Sequence, residues 1–217
     1  MLYDHLHREA ADYEAYNLLI KAFYETGRYE AAIELIEVVL MEHTENNCFE
    51  NNLLLCSILL GKSLKEPPQI RDRENPFLNY NWSIYKEKPA AWNSVNDGTL
   101  KSKLIFQNFR YGINRNPKPN TLTIEQEDLG SRKFEDSIIC IGRSAANHVI
   151  LHEISVSRRH CVLINYPGDV WLYDLGSTHG TYVDDIPVNR PVFLERRCRV
   201  SIAGHELTVL PRDAMLF

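Results

Sequence analysis

Long apolar runs, surplus positive charge and paired cysteines are all scarce in this sequence. The longest charge-free apolar stretch, Leu53 to Gly61, falls well short of the roughly 20 residues a membrane-spanning helix needs. The first residues, Met1-Leu2-Tyr3-Asp4-His5, offer neither a basic cluster nor an apolar run, so no signal peptide is read. Five cysteines (Cys48, Cys56, Cys140, Cys161, Cys198) are odd in number, scattered and without a Cys-x-x-Cys pair. They read as small buried hydrophobes of a reducing compartment, not as a disulfide or zinc framework. Lys and Arg total 24 against 29 Asp and Glu, a net charge of −5, which argues against a non-specific nucleic-acid binder. No Gly-x-Ser-x-Gly elbow, no Gly-x-x-x-x-Gly-Lys phosphate loop and no metal-ligand cluster occurs. The expectation is a soluble cytoplasmic protein that is not an enzyme, takes no cofactor and inserts in no membrane.

What is present divides into three stretches of different charge: net −7 over 1–66, +5 over 67–118 and −3 over 119–217. The first reads as helices. Apolar residues recur at three- and four-residue spacing from Tyr13 to Tyr24, then again from Tyr29 to Met41, around a break at Gly27. A third run spans Phe49 to Leu60 and stops at Gly61. Two helices joined by a tight turn form a hairpin with one apolar face to bury. Tyr16, Leu19, Phe23, Gly27, Tyr29, Ala32, Ile36 and Val39 fall where the tetratricopeptide (TPR) family places its packing residues. The resemblance implies a partner-binding helical repeat, although only one repeat and part of a second are visible, where about three normally share a core.

The middle stretch carries Pro67, Pro68, Pro76, Pro89 and Pro117, with Pro119 just beyond it. It also carries Phe77, Tyr80, Trp82, Tyr85, Trp92, Phe106, Phe109 and Tyr111. Disordered linkers are poor in aromatics, so these side chains are expected to dock on neighbouring surfaces, with one short element at 104–109.

The last stretch is β. Thr121–Glu125, Ile138–Ile141, Cys161–Asn165, Val170–Asp174, Thr181–Val183, Arg199–Ile202 and Glu206–Leu210 are short apolar or alternating runs separated by turn residues. Many short strands at close spacing predict an antiparallel sandwich. The fold class is therefore α+β by segments: helices over 1–66, a connecting segment over 67–118 and an all-β sandwich over 119–217.

Polar residues of this β stretch gather in turns: Gly142-Arg143-Ser144, Ser157-Arg158-Arg159-His160 and Asp174-Leu175-Gly176-Ser177-Thr178-His179-Gly180. Loops at one end of a sandwich can converge on a ligand while the strands hold them. An arginine fork suits a phosphate, and Ser157 and Thr178 add hydroxyls. Gly142 and Gly180 permit sharp turns. In order and spacing these three motifs closely resemble the forkhead-associated (FHA) domain. The resemblance implies an eleven-strand sandwich that binds phosphothreonine in a partner protein. It puts Arg143 and Ser157 on the phosphate, Thr178 beside them, and Arg158 on the peptide backbone or phosphate. His160 becomes a structural tie, while Asp174 and Gly180 shape turns. At His179 the family usually carries an Asn that fixes the bound peptide's backbone, and histidine is a partial substitute. Residues 152–155 are expected to help set target preference. The overall expectation is a phosphothreonine-dependent adaptor in Ser/Thr-kinase signalling whose helices engage a second protein. The alternative is a structural subunit that uses the same sandwich for phosphate-independent docking.

Overall fold

The computed structural model describes residues 13–42, 47–65, 75–87, 101–108, 119–127, 130–166 and 168–211. It divides into two compact units, Met1–Asn116 and Pro117–Phe217.

The first unit is helical: α1 Tyr13–Glu25, α2 Tyr29–Glu42, α3 Asn47–Leu59 and α4 Pro76–Glu87, each packed on the next. α1 buries Tyr16, Ile20 and Tyr24, and α2 answers with Ala32, Ile36 and Val39. α1 ends at Gly27, whose φ of +75° suits a residue without Cβ. The amide of Arg28 bonds the carbonyl of Phe23 (2.8 Å) and that of Gly27 the carbonyl of Tyr24 (3.2 Å), closing the helix end with a paired-bond cap. α4 lies in the connecting stretch, where docking aromatics and one short element at 104–109 are expected but no helix is. Its start is coded by Asn75-Pro76: the Asn75 side chain accepts the Leu78 amide (3.1 Å), and proline fits the first helical position. The aromatics Phe77, Tyr80, Trp82 and Phe106 are buried. A non-helical segment, 104–107, is held within this unit by asparagines of the helices.

The second unit holds eleven strands among its described residues: β1 Leu122–Gln126, β2 Gly130–Phe134, β3 Ile138–Gly142, β4 Val149–Ile150, β5 Cys161–Tyr166, β6 Asp169–Asp174, β7 Thr181–Val183, β8 Ile186–Pro187, β9 Val192–Phe193, β10 Cys198–Ile202 and β11 His205–Leu210. They form a six-stranded sheet ordered β2-β1-β11-β10-β7-β8 and a five-stranded sheet ordered β4-β3-β5-β6-β9. Every pair is antiparallel except β3 with β4. Alternation places Leu122, Ile124, Val200, Ile202, Leu207 and Val209 of the first sheet in one core with Ile139, Ile141, Leu163 and Leu172 of the second. The whole chain is thus α+β by segments, with a C-terminal β-sandwich. All five cysteines are buried and unbridged.

Candidate functional site

Three loops leave the same end of the five-stranded sheet. Register sets Ile141 opposite Cys161 and Cys161 opposite Asp174, so the turns after β3, before β5 and after β6 are neighbours. Gly142 brings the first two into contact. A Cβ there would lie 2.6 Å from the Arg158 carbonyl, 2.8 Å from the Ser157 carbonyl and 2.9 Å from the His160 nitrogen. Only glycine admits that approach, and across it the amides of Arg143 and Ser144 bond the carbonyls of Ser157 and Arg158 at 3.1 Å each.

His160 stands fully buried at the centre. Its Nδ1 accepts the Ser157 amide (3.1 Å), which leaves Nε2 to donate to the Gly180 carbonyl (3.0 Å). One neutral ring therefore ties the second loop to the third. Burial lowers its pKa from the usual 6.5, against the opposing pull of the Gly180 carbonyl and Asp174. Asp174 organises the third loop from within: its carboxylate accepts the amide of Ser177 (2.8 Å) and the hydroxyls of Ser177 and Thr181 (2.6 Å each). Gly176 and Gly180, at φ +68° and +76°, make the sharp bends between.

These ties set the two candidate hydroxyls side by side. The Oγ of Ser157 accepts the Thr178 amide at 3.2 Å and lies 3.4 Å from the Thr178 Oγ1. Arg143 and Arg158 are exposed on the adjoining turns. Among the described residues neither guanidinium has an ion pair or side-chain hydrogen bond. His179 is exposed, and its Nδ1 donates to the carbonyl of Ser155 (2.8 Å), leaving Nε2 as the ring's remaining polar atom. The arrangement offers unneutralised positive charge, two hydroxyls and rigid backing, which is what a doubly charged anion needs.

Sequence reading missed Asn147. Its buried Nδ2 donates to the carbonyls of Ser144 (3.0 Å) and Arg158 (2.7 Å), clamping the first two loops together. Asn147-His148 just ahead of the short β4 is the signal that could have drawn attention to it. Arg197 and Arg199 bond acidic side chains, Arg197 to Glu125 (3.3 Å) and Arg199 to Asp185. Among the described residues, no group of three His, Cys, Asp or Glu is placed to hold a metal, and no helix is long and apolar enough to cross a membrane.

A two-sheet sandwich whose loops converge at one end on an arginine, a serine and a threonine defines a class of binding module. Residues 139–203 match the family described as FHA domain, and this segment of the chain is an FHA domain. Human kanadaptin is 37% identical over 90 residues, covering 36% of this chain and 11% of kanadaptin. The chain is thus similar to a small part of that relative. Among solved structures, a domain from an analysis of phosphothreonine-dependent FHA domain interactions is 27% identical, covers 45% of this chain and 100% of that one, and has a TM-score of 0.41. Mycobacterium tuberculosis EmbR in complex with a low-affinity phosphopeptide is 16% identical, with 94% of this chain and 56% of that chain covered at a TM-score of 0.42.

Proposed function

We propose that the sandwich binds a phosphothreonine of a partner protein and that the chain serves as an adaptor. Arg143 and Ser157 contact the phosphate, Thr178 assists, and Arg158 reaches the peptide backbone or a phosphate oxygen. Gly142, His160 and Gly180 hold the loops. The reading is carried by the 3.4 Å separation of the Ser157 and Thr178 hydroxyls beside the exposed Arg143, whose guanidinium has no ion pair among the described residues. Hydrogen bonds to charged groups are worth about 1.5–3 kcal/mol each, so two or three separate no binding from roughly micromolar binding. A Ser/Thr kinase supplies the mark, the helical unit engages a second protein in the manner of a TPR-like repeat, and the five unbridged cysteines favour the cytoplasm. Titration with a phosphothreonine peptide library tests it: Arg143→Ala abolishes binding and leaves the fold intact. Retained affinity, or equal affinity for the unphosphorylated peptides, overturns it.

One observation favours a second reading, docking without phosphate. The His179 ring is engaged by the protein's own Ser155 carbonyl at the place where the family's Asn meets the peptide. Phosphatase treatment of a captured partner separates the two, since only phosphothreonine binding is lost.

A further inference from the structure

Four asparagines stand buried on helix surfaces of the first unit: Asn17 on α1, Asn51 and Asn52 on α3, and Asn81 on α4. Asparagine is a poor helix interior residue, and burying its amide is costly unless every polar atom finds a partner. Here the partners are the main chain of one short segment. Asn81 accepts the amide of Ile105 (2.9 Å) and donates to the carbonyl of the same residue (3.0 Å). Asn52 treats Gln107 identically, accepting its amide (3.0 Å) and donating to its carbonyl (2.9 Å). Asn51 and Asn17 add a second donor to each carbonyl, at 3.2 and 3.3 Å. Amide and carbonyl of one residue point to the same side only in an extended chain, and the pattern repeats two residues on. Segment 104–107 is therefore bound as a strand would be, with side-chain amides in place of a neighbouring strand.

Such contacts are indifferent to side-chain identity. Selection comes from what surrounds them. Leu104, Ile105 and Phe106 are buried, with the Phe106 ring 5.1 Å from that of Tyr24. Lys101 lies over the Tyr24 ring (4.6 Å), donates to the carbonyls of Tyr24 (2.8 Å) and Glu25 (3.2 Å) at the end of α1, and pairs with the Glu25 carboxylate (3.6 Å). Residues 1–66 carry net −7, which favours a basic occupant. One feature of the present occupant fits badly: the buried Oε1 of Gln107 has no hydrogen-bond partner among the described residues.

We propose that the helical unit is a receptor for an extended peptide in which a basic residue precedes three consecutive apolar ones, and that Lys101 to Asn108 occupies this receptor in cis as an imperfect stand-in that a partner's segment displaces. The proposal gives a chemistry to the second partner of the adaptor reading and rests on that part of it alone.

The test uses the full chain with protease recognition sequences inserted between Glu87 and Lys101 and between Asn108 and Asn120, folded uncut and then cut at both. Fluorescein-labelled Lys-Ser-Lys-Leu-Ile-Phe-Gln-Asn is added and its anisotropy followed. Saturable uptake is expected, weakened about tenfold by Asn52→Ala or Asn81→Ala in the protein. Two altered peptides need no change in the protein. One N-methylated at the amides of Ile105 and Gln107 loses binding, and one carrying Gln107→Met binds about tenfold tighter because the orphaned oxygen is gone. Absence of saturable uptake overturns the proposal, whether the severed fragment stays in place or the helical circular dichroism collapses as it leaves. So does undiminished binding of the N-methylated peptide. A protein partner that still binds the helices of such a sample would keep the adaptor reading while this groove falls.

Discussion

His160 holds Ser157 through its unprotonated nitrogen: Nδ1 accepts the Ser157 amide at 3.1 Å, so only the neutral ring positions that loop. Burial lowers the ring's pKa from 6.5. Between the two values the unfolded chain binds a proton that the folded chain refuses, so its stability is complete above about pH 6.5 and falls as pH drops through that value. The decline levels off below the folded value. Urea midpoints and phosphopeptide affinity, measured from about pH 8 to 5, are expected to fall together, and His160→Asn should flatten the portion of the stability profile due to this ring.

Gly142→Ala is expected to destabilise the sandwich by about 1–3 kcal/mol, the usual penalty for overpacking. Its new methyl would meet the backbone of Arg158 and Ser157 at 2.6 and 2.8 Å, and backbone cannot swing aside as a side chain does. Chemical denaturation measures the loss. The variant's phosphopeptide affinity should drop as well, since relief of the clash separates Arg143 from Ser157.

Asp174→Ala removes the acceptor for one amide and two hydroxyls of the third loop. About 2 kcal/mol of stability should go with it, at the scale of hydrogen bonds to a charged group. Amide hydrogen exchange at Ser177, bonded to the carboxylate, should accelerate well before that of β5.

Asn147→Ala leaves the carbonyls of Ser144 and Arg158 without their shared donor. A stability loss of about 1–2 kcal/mol is expected. Because Asn147 points at backbone and not at the ligand, the affinity change should arise from loop disorder, visible as exchange broadening of the Ser144 and Arg158 amides in free protein.

Legibility followed how local each signal was. β3, β5 and β6 announce themselves as apolar runs, and β10 and β11 show alternation in burial. β2, Gly-Ser-Arg-Lys-Phe, is not legible because among the described strands it pairs with β1 alone and it exposes all but Phe134. Such an edge strand owes its structure to a neighbour instead of to its own pattern. α4 is hidden because a proline stops a helix as readily as it starts one, although Asn75-Pro76 is a start signal. The three loop motifs of the site could be read, since each is contiguous. The fastenings between them could not, because Asn147 reaches eleven positions along the chain to Arg158 and common polar residues carry no mark of a distant partner. The helix asparagines are the extreme case: Asn52 finds its carbonyl 55 positions away.

The concealment of all five thiols has a practical side. Burial pushes Cys140 and Cys198 up to about 11 and Cys56 up to about 12, and raises Cys48 and Cys161 further. At neutral pH the folded chain should therefore ignore maleimide dyes. Ile154, 92% exposed and next to the Ser155 that His179 grips, then becomes a clean attachment point as Ile154→Cys, giving a fluorescent reporter at the rim of the loops with no native cysteine to remove.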